Sequence, residues 1–133
     1  MSVLIKFNCF HQFGDTIRLG DWPCKLQKNS IIRDAYEKQS GDAAINQSNN
    51  GLVSERHRHR YEFNQKYKKL LEKKGMKFTG MSPDGKLVEA IELDQNTHPF
   101  FLGTQFHPEY KSKPLIPHPI FIAFIKASGK NKL

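Results

Sequence analysis

The chain has 133 residues, room for one ordinary domain. Its 21 lysines and arginines against 13 acids give a formal charge of +8, and only 38% of residues are hydrophobic, with 10 phenylalanines among them. That balance fits a lysine-rich solvated surface, and also an anionic partner such as a nucleotide or an acidic protein face. No apolar run approaches the roughly 20 residues that span a bilayer, and the N-terminus lacks the apolar core of a signal peptide. Two cysteines, Cys9 and Cys24, make no disulfide framework. A reducing cytoplasm is the simpler setting.

In chain order, Met1 to Phe13 mixes a short strand pattern at Val3-Leu4-Ile5 with helix-like spacing of Phe7, Phe10 and Phe13. Gly14-Asp15 marks a turn, Thr16 to Leu19 a short strand, Gly20-Asp21 a second turn, and Cys24 to Leu26 another strand. Asn29 or Ser30 caps a short helix over Ile31 to Glu37. The stretch from Gln39 to Gly51, rich in Ser, Gly, Asn and Gln, reads as an exposed loop. Leu52 to Tyr61 reads as extended, with Arg56, Arg58 and Arg60 on one side and His57, His59 and Tyr61 on the other. Such a charged row suits an edge strand, or a surface that meets anions.

Asn64 then caps an amphipathic helix to about Lys74, with Tyr67, Leu70 and Leu71 as its apolar stripe and Gly75 just past its end. Lys77 to Gly80 and Leu87 to Leu93 form a hairpin around the Pro83-Asp84-Gly85 turn. Phe100 to Phe106 reads as a buried strand. After a loop holding Pro114 and Pro117, Pro119 starts a helix with Ile120, Phe121, Phe124 and Ile125 as its stripe, and a basic tail follows from Gly129. Interleaved strands and helices indicate an α/β fold.

The chemistry concentrates in Gln105-Phe106-His107-Pro108-Glu109-Tyr110. His107 and Glu109 stand two apart across a proline that fixes one backbone angle. That spacing suits a general base and the carboxylate that orients it, and equally a loop histidine beside a surface acid. Metal binding has candidate ligands in His11, His57, His59, His107, Cys9 and Cys24, but no C-x-x-C or H-x-x-x-H spacing, and no metal site is expected. Arg56 to Tyr61 mixes arginines with an aromatic, as single-strand binders do, yet the phenylalanines lie elsewhere and no phosphate-cradling glycine loop is present, so nucleic acid is not the expected partner.

Several stretches together resemble the CTP synthases. Glu55-Arg56-His57-Arg58-His59-Arg60-Tyr61-Glu62-Phe63-Asn64 resembles the family's E-R-H-R-H-R-Y-E-x-N, and Gln105 to Tyr110 with Lys111-Ser112-Lys113-Pro114 resembles Q-F-H-P-E-[FY]-x-S-x-P. Ser82 to Gly85, Leu87-Val88-Glu89 and His98 to Phe101 match in order between them. Upstream, Thr16 to Gly20 is similar to T-M-R-L-G, and the helix from Pro119 to Ala127 fits as well. The resemblance covers roughly residues 14–128, with 1–13 unmatched and 129–133 as the tail.

The resemblance implies a partial three-layer, flavodoxin-like class I glutamine amidotransferase domain, the C-terminal part of that domain in CTP synthase. Such an enzyme makes CTP from UTP, ATP and glutamine, with ATP and Mg bound in a separate synthase domain and no cofactor on this chain. It implies His107 as the base, Glu109 as its carboxylate, and Arg60 as a ligand of the glutamine α-carboxylate, a task a guanidinium fork suits. The family's nucleophile lies in a glycine-flanked elbow upstream of T-M-R-L-G. Cys9 lacks those glycines, and Cys24 falls where the family has a structural residue. The expectation is a chain that carries the His–Glu part of a triad, is inactive alone, and works with an upstream half-domain in an oligomeric enzyme. The alternative is a non-catalytic basic module for nucleotides or nucleic acid on the same scaffold.

Overall fold

The computed structural model describes residues 18–39 and 50–130. The expected elements before Arg18, with Cys9 and His11, and loop positions 40–49 lie outside them. Five strands form one antiparallel sheet: β1 (Arg18–Leu26), β2 (Leu52–His59), β3 (Met76–Met81), β4 (Val88–Leu93) and β5 (Leu102–Thr104), in the order β2-β1-β3-β4-β5. Three helices accompany it: α1 (Ile31–Gln39), α2 (Lys68–Lys73) and α3 (Pro119–Lys130).

β1 runs unbroken through Gly20-Asp21, where a turn was expected. Cross-strand partners continue from Arg18↔His59 to Lys25↔Leu52, and that ladder overrides the local turn signal. Gly20 passes through with φ +82, a conformation glycine adopts without a Cβ penalty. β2 lies at the sheet edge, as its charged row suggests, and its alternation is the predicted one: Val53, Glu55 and His57 are buried while Arg56 and Arg58 face solvent. The strand ends at His59, so Arg60 and Tyr61 are both exposed beyond it.

α1 starts on Ser30, whose hydroxyl accepts from the Arg33 N–H at 3.2 Å. Asn29 instead takes the left-handed turn before it, with φ 56. Its first amides are also held from the sheet: Glu92 of β4 accepts from Ile31 N–H at 3.1 Å and Ile32 N–H at 3.4 Å, placing a carboxylate at the positive end of the helix. One hydrophobic core lies between the sheet and the helices, built from Cys24, Leu26, Ile32, Tyr36, Val53, Ala90, Phe106 and Ile120.

Three apolar readings change. The helix expected from Asn64 is a single 3-10 turn, Gln65–Tyr67, followed by the short α2, and Tyr67 and Leu70 are exposed. Over β3, the Phe78 ring is taken by the Lys68 ammonium, 5.3 Å from its centroid, and by Phe63. The expected Phe100–Phe106 strand shrinks to the half-buried β5. On α3, Ile120 is buried but Phe121, Phe124 and Ile125 are exposed, and the helix continues to Lys130 where a tail was expected.

Gly80 marks a tight approach of β3 to β4. A Cβ there would lie 2.8 Å from the Ala90 Cβ and 3.1 Å from the Cys24 Sγ, at a break in the strand register. Gly80→Ala is expected to destabilise the fold by about 1–3 kcal/mol through overpacking. Urea unfolding with a lower midpoint and unchanged slope will show it, and an unchanged midpoint contradicts this packing.

Candidate active site

The sheet curls until its two ends meet, and the candidate site sits on that seam. Past β5, the Gln105 N–H donates to Glu89 O on β4 at 2.8 Å, and two residues later the His107 N–H donates to Arg56 O on β2 at 2.8 Å. The Gln105 side-chain amide donates to Tyr61 O at 2.8 Å, which ties the residue beside Arg60 to the strand that delivers His107. Lys111 completes the attachment, donating to Ser54 O at 2.6 Å and pairing with Asp21 at 3.3 Å.

A residue before proline is biased to extended backbone, and His107 has φ −107 and ψ 90. Pro108 then opens a 3-10 turn, Pro108–Tyr110. This turn brings the Glu109 carboxylate to 2.7 Å from the His107 Nδ1. Tyr110 stacks on the imidazole, with centroids 5.0 Å apart and planes at 21°. An ionised carboxylate only accepts, so Nδ1 carries the hydrogen, and in the neutral ring Nε2 has the lone pair. The His107 bond, the largest contribution, holds the Glu109 carboxyl below its ordinary value.

The structure therefore brings together His107 and Glu109. Arg60 stands on the neighbouring segment, exposed and outside any helix or strand. Cys24 does not join them. It is fully buried, and burial, followed by the charges of Glu89 and Glu55, pushes its thiol far up. A thiol so held is not a nucleophile. His57 and His59 turn toward each other, with Nδ1 and Nε2 2.7 Å apart, and among the described residues no group of three or more His, Cys, Asp or Glu is arranged to hold a metal ion. Pattern reading missed the tethers from Gln105 and Lys111. The only sequence signal for Gln105 is its place in Gln105-Phe106-His107-Pro108-Glu109.

A family model described as "Glutamine amidotransferase class-I" matches residues 9–127. The chain belongs to the class I glutamine amidotransferases. Within that family it is similar to CTP synthases: 52% identical over 122 residues to that of Koribacter versatilis, covering 92% of this chain and 20% of the relative. The CTP synthase of Pelagibacter ubique is 50% identical over 119 residues, 90% of this chain and 20% of the relative. A solved structure described as the Trypanosoma brucei CTPS glutaminase domain with bound acivicin matches with a TM-score of 0.72 at 32% identity, over 93% of this chain and 44% of that one. This amidotransferase chain thus spans about a fifth of the curated relatives it matches, and its α/β fold is part of the family's domain. Among the described residues no helix is long and apolar enough to cross a membrane.

The Glu109 shift carries a sign. A carboxyl whose folded value is depressed adds stability above its unfolded value of 4.5 and loses it as pH falls through the lower folded value. Carboxyl NMR titration is expected to place Glu109 below 4.5, and to return it toward 4.5 in His107→Ala. A midpoint unaffected by that substitution contradicts the bond.

Proposed function

We propose that this chain is the His–Glu-bearing part of the glutaminase domain of a CTP synthase, acting in the cytoplasm with a polypeptide segment that supplies the cysteine. The observation that carries the reading is the His107 Nδ1 to Glu109 distance of 2.7 Å on a turn anchored to β2. It is supported by the similarity to CTP synthases over about nine-tenths of the chain.

In the proposed reaction, the His107 Nε2 takes the proton of the partner cysteine, and the thiolate attacks the carboxamide carbon of glutamine. The imidazolium returns that proton to the leaving nitrogen and ammonia departs. Water, deprotonated by the same Nε2, then opens the thioester and frees glutamate. Glu109 keeps the Nδ1 hydrogen in place and steadies the imidazolium. Arg60 receives the glutamine α-carboxylate in its guanidinium fork. The ammonia aminates UTP in the ATP- and Mg-using synthase part of the oligomeric enzyme.

The test is ammonia release from glutamine by the purified chain, alone and mixed with a polypeptide carrying the rest of the glutaminase domain of a CTP synthase relative. The chain alone is expected to release none, and the mixture to be active. In the mixture, His107→Ala should lower turnover by roughly 10²–10⁴-fold, and Arg60→Ala should raise KM more than it lowers kcat. Hydrolysis by the chain alone that survives His107→Ala, or a mixture that associates but stays inactive, overturns the reading.

A further inference from the structure

Helix α3 turns much of its apolar stripe to solvent. Ile120 is only 7% exposed and belongs to the core, but Phe121 is 37%, Phe124 50% and Ile125 67% exposed. With Ser128, these three stand at i, i+3, i+4 and i+7, so they share one face of the helix. No charged residue occupies those positions, whereas the solvent side of a surface helix ordinarily carries charge. Phe121 meets the His118 ring at 5.9 Å and Phe124 the Phe100 ring at 5.7 Å. Both side chains stay exposed beyond those contacts.

The helix cannot roll to bury this face, because its other side is already anchored. Ile120 packs in the core with Ile32 and Tyr36 of α1. At the helix start, His118 Nε2 lies 3.1 Å from the buried Glu55 carboxylate, and His118 Nδ1 accepts from the Ile120 N–H at 3.3 Å. A roll that hid Phe124 and Ile125 would pull Ile120 out of the core and part His118 from Glu55. The second of these would strip a buried carboxylate of one of its hydrogen bonds. The exposure is thus imposed by how α3 is seated, and only a second body can cover it.

We infer that the Phe121, Phe124 and Ile125 face is the docking surface for the rest of the amidotransferase domain, which meets it with an apolar face of its own. The inference rests on the proposed function, which requires such a polypeptide to supply the cysteine. Two observations select this occupant. The match to the Trypanosoma brucei glutaminase domain takes in 44% of that chain, so more than half of a solved domain of this kind has no counterpart here. The face also adjoins the candidate site: Ile120 shares the core with Phe106, the residue before His107. A body seated on α3 therefore packs against the element that backs the segment delivering the imidazole. A second copy of this chain fits less well, since each copy carries a formal charge of +8 and two such bodies repel.

The test reads binding apart from turnover. The full chain, labelled with a fluorophore at its N-terminus, is titrated with the polypeptide carrying the rest of the glutaminase domain of a CTP synthase relative, and association is followed by anisotropy. Phe124→Glu and Ile125→Glu are each expected to weaken association by roughly 30-fold or more, the loss that removal of a central apolar anchor brings. Leu70→Glu on α2, an apolar side chain 55% exposed, is expected to leave it unchanged. Hydroxyl-radical footprinting of the wild-type mixture is expected to show Phe121 and Phe124 protected relative to the free chain, and it decides alone if a variant does not fold. Association that both variants retain, or Phe124 left unprotected in the wild-type mixture, overturns the inference and leaves the proposed function standing. A mixture that does not associate overturns both. Self-association of the chain that Ile125→Glu abolishes assigns the face to a second copy and overturns the inference as well.

Discussion

One backbone hydrogen bond organises this molecule: the His107 N–H to the carbonyl of Arg56, at 2.8 Å. β2 is the last strand of the sheet on one side, and the chain leaving β5 is the last on the other. Their meeting turns an open sheet into a curl and blunts the outer side of an edge strand that would otherwise offer unpaired groups. It also fixes where the imidazole stands, because His107 is held by its own backbone. Lys111 and Gln105 repeat the attachment on either side, on Ser54 and Tyr61. The His107–Glu109 pair thus rests on the scaffold although it sits in a turn, which preserves the geometry that the proposed general base needs.

The curl encloses polar groups as well as apolar ones, and three buried glutamates organise them. Glu92 receives the first amides of α1 and the Thr79 hydroxyl, so that helix entry is set from β4. Glu55 accepts from the Tyr36 hydroxyl at 2.7 Å and from His118 Nε2 at 3.1 Å. The His118 Nδ1 accepts from Ile120 N–H at the start of α3, which settles the tautomer, so one carboxylate joins β2, α1 and α3. Glu89 takes Arg18. A buried carboxylate is costly unless hydrogen-bonded, and each of these accepts at least one hydrogen bond from another element.

Legibility in the sequence followed the range of the forces involved. The pairing of His107 with Glu109 was readable because Pro108 acts locally, and so was the alternation of β2, because a strand places every second side chain on one face. Ser30 as a cap and Pro119 as a helix start were local too. Gly20-Asp21 misled because turn preference is weak beside a ladder that only the fold supplies. The stripes of Tyr67-Leu70 and Phe121-Phe124-Ile125 were real patterns, but periodicity says which residues share a face and not whether anything covers it. Arg18 and Glu89 lie 71 positions apart and Gln105 and Tyr61 44 apart. No local rule pairs them, and only the shared order of motifs with CTP synthases hinted that these stretches belong together.

Closing the sheet and placing the His107 imidazole are one event. Native-state hydrogen exchange of the His107 amide measures this most directly, since the amide can be protected only while the seam is shut. The account predicts protection equal to that of the amides pairing β1 with β2, lost in the same opening. Exchange of His107 at the rate of a free turn, while the β1–β2 amides stay protected, would contradict it.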